Sequence, residues 1–236
     1  PAAVVRPDDP VLALSLYAAA VEAIILVFCV MVAVLLPGRP RERLGLVAPR
    51  LDGVSIAVLA AGTVALSHAL DALLDVSGLL ERSGLAAFAR TLDGARGLPL
   101  VAAVVTIGLL PALSEELLCR GLLQRSLVAR LGAAPGIALA ALAFGAIHIE
   151  PIHATFAVPL GVFLGLAGHL AGSVWVPIAC HAANNLVAVG LAAAIGLDAA
   201  ASPAEVVLGV AIAVAALAFV AIRTRGLQPA TGSDDG

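Results

Sequence analysis

Three groups of polar residues lie in an otherwise apolar part of the chain and could together perform chemistry. They are Glu115 and Glu116 with Arg120, Phe144 with His148, and His181 with Asn185. Ionisable groups at membrane depth cost about 2.5–3.5 kcal/mol each on insertion scales, so they occur mainly where they pair or act. Two carboxylates, two imidazoles, a guanidinium and an amide in one apolar region therefore indicate a reaction centre.

The composition is that of an integral membrane protein. Of 236 residues, 61% are hydrophobic and 12% charged, and the mean hydropathy is +1.09, whereas soluble domains have about 45–50% apolar and 25% charged residues. The net charge of −3 is scattered and offers no basic face, which argues against a nucleic-acid partner. The three cysteines form no C-x-x-C pair, so neither a zinc knuckle nor a disulfide framework is indicated.

A transmembrane helix needs about 20 apolar residues, and seven segments qualify or nearly qualify. They are residues 11–36, 54–74, 98–118, 136–149, 155–171, 174–196 and 204–222. The predicted fold is an all-α, polytopic bundle of about seven transmembrane helices, with an eighth at residues 85–92 as the alternative.

The chain divides into four predicted regions. Residues 1–97 form an N-terminal membrane region with two spans and an interfacial or loop segment. Residues 98–196 form a core of four spans that carries the polar groups, residues 197–225 the last span, and residues 226–236 a disordered tail. With seven spans, most arginine-rich loops fall on one side, which predicts a cytoplasmic C-terminus. All 13 basic residues are arginine, and this Arg-only, Ala-rich composition favours a bacterial inner or plasma membrane.

Spacing within each polar group predicts which side chains share a helix face. Glu116 and Arg120 are four residues apart with the acid first, the favourable order for an ion pair. Glu115 points about 100° away from Glu116, so it is not expected to take part in this ion pair and is available for another role. His181 and Asn185 share a face.

Helix lengths predict whether the three groups meet. If the third helix continues to Leu131 and stops at Gly132, Glu115 and His148 lie about 27 and 22 Å from that turn. His181 lies only about 12 Å from the next turn on that side, about 10 Å short of the level of His148. A tilted helix or a short fifth span is needed to bring His181 to the same level. The first two spans are expected to flank the site without contributing to it, and the sequence assigns no role to Glu22.

The motifs, taken in order, resemble those of the CAAX-protease and bacteriocin-processing family of intramembrane proteases, which includes the type II CAAX prenyl endopeptidases. The resemblance covers about residues 98–196 and rests on Glu115-Glu116-x-x-x-Arg120, Phe144-x-x-x-His148 and His181-x-x-x-Asn185. It implies that Glu115 and His148 activate the attacking water. It further implies that His181 and Asn185 stabilise the oxyanion or help hold a metal, with Glu116, Arg120 and Phe144 in supporting roles.

Zinc is the candidate cofactor. Glu115, His148 and His181 equal the ligand set of a His₂Glu zinc site, which leaves one position for water. That interpretation conflicts with Glu115 as the base unless Glu116 takes one of the two roles. A metal-independent mechanism based on glutamate is the alternative.

The predicted function is that of an intramembrane endopeptidase hydrolysing a peptide bond of a membrane-associated peptide or protein. One alternative is a non-catalytic protein of the same fold, with an immunity or scaffolding role, but all of the motif residues are present. A second is a proton-coupled transporter with a buried relay, but the sequence lacks the paired repeats typical of such proteins.

Overall fold

The computed structural model describes residues 9–196 and 201–225, and the regular structure in this part of the chain is helical. The helices are α1 (Pro10–Leu35), α2 (Pro40–Arg43), α3 (Gly53–Val76), α4 (Gly84–Leu92), α5 (Gly97–Leu131), α6 (Ala133–Ala146), α7 (Pro151–Ala171), α8 (Trp175–Ile195) and α9 (Pro203–Arg225). Six of them are long and apolar enough to cross a membrane, and α6 is a shorter apolar helix. The all-α, multi-pass prediction is thereby confirmed.

Two details of the predicted topology change. The proposed eighth span is α4, whose 9 residues are too few to cross a bilayer. The fourth predicted span is α6, whose 14 residues extend about 21 Å, short of the roughly 30 Å hydrocarbon core. The predicted tail at residues 226–236 lies outside the described residues, and the cytoplasmic C-terminus stays a prediction.

The helix that carries the acidic pair, α5, is continuous for 35 residues but not regular. It contains two π-helical segments, Val104–Leu109 and Leu117–Gln124, and π geometry is frequent at functional sites. Pro111 follows the first segment and has no N–H, so the carbonyl of Ile107 lacks its usual partner four residues on. Glu115 and Glu116 end the short α-helical stretch between the two segments.

The depth of His181 is set by the connection between α1 and α3. Val174 N donates to Gly45 O at 3.0 Å, and the neighbouring Leu44 carbonyl packs so closely on Gly121 that an added Cβ would lie 2.8 Å from it. The α7–α8 turn therefore lies near the level of Gly121, about ten residues or 15 Å before α5 ends at Leu131. Because the α7–α8 turn lies inside the end of α5, His181 lies deeper than helix counting predicted, and it can reach the level of Glu115.

The hairpin of α6 and α7 depends on a glycine. A Cβ on Gly145 would lie 2.6 Å from the carbonyl oxygen of Ala154, whereas a Cβ on Gly190 of α8 would meet no atom within 4 Å. We expect Gly145→Ala to destabilise the protein by about 1–3 kcal/mol, the usual cost of overpacking. Gly190→Ala, the matched control, is expected to be neutral or stabilising, and unfolding of both variants in detergent with increasing SDS measures the difference. Equal stability of the two variants would contradict the packing of this hairpin.

Candidate active site

Glu116 is the centre of a buried ionic network. Its Oε1 atom lies 2.5 Å from Arg120 Nη1 and accepts a hydrogen bond from His181 Nδ1 at 2.9 Å. The Glu116 side chain is 0% exposed and that of Arg120 is 2% exposed. The predicted ion pair between Glu116 and Arg120 is confirmed. Because Nδ1 of His181 carries the donated proton, its Nε2 atom is left to face the rest of the site.

Glu115 lies beside this network without joining it. Its Oε2 atom is 4.0 Å from His181 Nε2, too far for a hydrogen bond. In the described part of the chain, neither this oxygen nor Oε2 of Glu116 has a hydrogen-bond partner, although both are buried. Both carboxylate oxygens lie next to an imidazole and are available to accept a hydrogen bond.

The backbone of α7 holds the Arg120 side of the network. Arg120 Nη2 donates to the carbonyl of Gly161 at 2.8 Å, and Gln124 Nε2 donates to that of Gly165 at 2.9 Å. The ring of Phe144 lies under the guanidinium, 4.4 Å from its central carbon. Glycine at these positions allows close approach, since a Cβ on Gly165 would lie 2.7 Å from Oε1 of Gln124. The glycines of α7 therefore serve helix packing.

His148 lies just after α6, at the partly exposed side of the cluster. Its Nδ1 donates to the Phe144 carbonyl at 2.8 Å, which leaves Nε2 without a proton in the neutral ring. The Phe144 ring contacts both imidazoles edge-on, with centroid distances of 5.0 Å to His148 and 5.8 Å to His181. Within the described residues no hydrogen bond or ion pair joins His148 to Glu115. The structure brings His181 to the acidic pair and places His148 against the Phe144 ring.

Asn185 binds the irregular part of α5. Its Nδ2 donates to the Ile107 carbonyl at 3.3 Å, the carbonyl whose usual α-helical partner would be the N–H of residue 111, which is a proline. Its Oδ1 accepts from Asn184 Nδ2, also at 3.3 Å. The amide predicted to face the reaction therefore links α8 to α5 in the structure.

A double-mutant cycle tests this link. We expect Asn185→Ala to cost about 0.6 kcal/mol and at most about 1.7, the range for hydrogen bonds between membrane helices. In a Pro111→Ala background, the backbone N–H gained at position 111 can bind the Ile107 carbonyl, so the same substitution should cost less. Unfolding in detergent measures the coupling, and equal costs in both backgrounds would contradict the proline account.

Glu22 is the polar residue of the site that the sequence prediction missed. It lies midway along α1, is buried, and has its Oε2 atom 2.6 Å from the hydroxyl of Ser114. It is close enough to interact electrostatically with Glu115 and His181. The expectation that the first span only flanks the site is therefore wrong. The signal was present, because a lone ionisable residue inside a transmembrane helix indicates function by default.

The predicted zinc ligands do not converge. Two imidazoles and one carboxylate are chemically suitable for zinc. In residues 9–196 and 201–225, however, no three His, Cys, Asp or Glu side chains form a group that could hold one ion. His181 uses Nδ1 on Glu116, and Phe144 contacts both His148 and His181. As arranged, these residues do not fit a three-ligand zinc site, and zinc binding stays a prediction for metal analysis.

Comparison with known proteins bears on the segment that carries these motifs. Residues 97–187 match the family model described as type II CAAX prenyl endopeptidase Rce1-like. This match confirms the predicted resemblance to the CAAX-protease family over residues 97–187. No curated protein and no solved structure is significantly similar to it.

The family match covers α5, α6, α7 and the first half of α8. It contains all three polar motifs, and it supports a CAAX-type intramembrane protease. Glu22 and the whole of α1 lie outside the matched residues. The part that α1 plays in the site is therefore a feature of this structure and not of the match.

Proposed function

We propose that this protein is an intramembrane endopeptidase in which Glu115 activates the attacking water. The observation that supports this most is the pair of unpaired, buried Oε2 atoms of Glu115 and Glu116 beside His181. A water molecule bound there would donate to Glu115 and come within reach of His181 Nε2.

Each polar group then has a distinct task. Glu115 accepts a proton from water as the water oxygen bonds to the peptide carbonyl carbon, and returns that proton to the amine nitrogen as the C–N bond breaks. Glu115 Oε2 faces His181 Nε2 at 4.0 Å, without a direct hydrogen bond between the two. Glu116 and Arg120 fix His181 in one orientation, with Nε2 toward the reacting carbonyl. His181 in its protonated form and Asn185 are the candidate donors to the oxyanion.

His148 acts at the entrance to the site in this proposal. Its unprotonated Nε2 is available to bind the incoming water or a substrate N–H, because Nδ1 is committed to the Phe144 carbonyl. His153 lies beside it, with ring centroids 4.4 Å apart. Both rings are partly exposed, which suits a polar entrance.

The substrate is proposed to be a peptide or protein held at the membrane. An apolar groove of about 330 Å³ lies next to the centre, lined by residues that include Phe28 of α1, Cys119 and Leu122 of α5, and Ile147. Cys119 and Phe144 pack together beneath it. Such a groove suits the lipid-soluble part of a substrate, and the family name indicates a prenyl group as the first to test.

The experiment is cleavage by the protein purified in detergent. Three probes separate the substrate classes: a farnesylated CAAX peptide, the same peptide without farnesyl, and an unprenylated peptide library. Mass spectrometry of the products, with and without chelator and after metal analysis, identifies the bond cut and any metal required. We expect at least one probe to be cleaved by endopeptidase action. Failure of a folded protein to cleave any of them would favour the non-catalytic role.

A further inference from the structure

Glu22 is buried in the middle of a transmembrane helix without a cation to pair with. In the described part of the chain, no Arg or His lies within ion-pair distance of its carboxyl group. Ala23 and Ile24, the next two residues along α1, are exposed on the bundle surface, whereas Glu22 is buried. An ionised carboxylate without a partner is costly at this depth, and the structure has to satisfy the group in another way.

The contacts of Ser114 indicate how the Glu22 carboxyl group is satisfied. Its Oγ atom lies 2.6 Å from Glu22 Oε2 and 2.7 Å from the Leu110 carbonyl oxygen. A serine hydroxyl has one proton and can also accept. Both contacts are full hydrogen bonds at the same time only if Ser114 donates to Leu110 and a protonated Glu22 donates to Ser114. The two distances therefore favour a neutral carboxylic acid at Glu22.

The position of Ser114 connects this chain of hydrogen bonds to the chemistry. Ser114 directly precedes Glu115, and both lie on the short stretch of α5 between its two π-helical segments. This α-helical stretch is only 7 residues long, and Glu115 directly follows Ser114 on it, so the position of Ser114 affects the direction of the Glu115 side chain. A contact from α1 to Ser114 would fix that direction.

We propose that Glu22 is a positioning residue of the reaction centre, whose protonated carboxyl group donates to Ser114 and thereby holds Glu115 in its working orientation. This inference rests on the proposed protease function. A neutral Glu22 also avoids placing a third negative charge beside Glu115 and Glu116. The group acts through Ser114 and does not contact the substrate.

Two substitutions separate positioning from simple packing. Glu22→Gln keeps the shape, and its amide N–H donates to Ser114 as the acid does. Glu22→Leu has a similar volume but cannot donate. With whichever probe peptide is cleaved, we expect Glu22→Leu to lower kcat by up to about 100-fold, the cost of misplacing a catalytic group by about 1 Å, with KM nearly unchanged. Glu22→Gln should restore most of the lost kcat, and Ser114→Ala should resemble Glu22→Leu.

Infrared spectroscopy tests the same inference without any substrate. A protonated carboxyl group gives a C=O stretching band that a carboxylate lacks, and this band should be lost in Glu22→Gln. Wild-type kcat in a folded Glu22→Leu variant would overturn the positioning role, as would a Glu22→Gln variant as impaired as Glu22→Leu. Absence of the band from the wild-type protein would overturn the protonated state. Cleavage that survives Glu115→Gln would instead contradict the proposed function, while the infrared result still decides the state of Glu22.

Discussion

Replacing Glu115 with glutamine is expected to lower kcat by about 10²–10⁴-fold, the usual contribution of a general base. Glutamine has the same shape but cannot take a proton from water. The fold should persist, because Glu115 Oε2 has no hydrogen-bond partner in the protein to lose. Cleavage of the probe peptide and SDS-induced unfolding in detergent are measured on the same preparation.

The matched control for this prediction is Glu42→Gln. Glu42 lies on α2, its side chain is 59% exposed, and it pairs with Arg39 at the surface. Removing its charge should leave both cleavage and unfolding unchanged, since exposed ion pairs contribute little. Activity of Glu115→Gln equal to that of Glu42→Gln would rule out Glu115 as the base.

Glu116→Gln is expected to lose more stability than Glu115→Gln. Breaking a buried ion pair by removing one partner costs about 3–5 kcal/mol, because the remaining charge is left uncompensated. Here that charge is Arg120, which is almost wholly enclosed, and His181 also loses a charged acceptor. Unfolding of Glu116→Gln in detergent, compared with Glu115→Gln, measures the effect.

A second substitution shows whether the uncompensated charge is the cause. In the Glu116→Gln background, Arg120→Met removes the guanidinium while keeping much of its volume. The double variant should regain part of the stability lost in Glu116→Gln. The recovery should be incomplete, because Arg120 also donates to the Gly161 carbonyl and packs on Phe144. Additive losses in the double variant would contradict this account of the network.

Several features of this protein were determined by its sequence alone. Long apolar segments indicate a membrane protein and exclude a soluble fold. In lipid, only helices and closed barrels satisfy the backbone groups of such segments. The four-residue spacing predicted the pair of Glu116 and Arg120, since such neighbours meet on one helix face whatever surrounds the helix. The three motifs in order indicated the protease family.

Only the tertiary structure decided how the motifs meet. His181 binds Glu116 and faces Glu115 because the segment after α1 holds the α7–α8 turn about 15 Å inside the end of α5. Phe144 contacts both imidazoles, and Asn185 binds the Ile107 carbonyl near Pro111. Glu22 enters the site because α1 packs against α5 beside Ser114. Spacing along one helix fixes which side chains share a face, but their level relative to another helix depends on where turns lie and which distant segments cover them. No local pattern in the sequence records that.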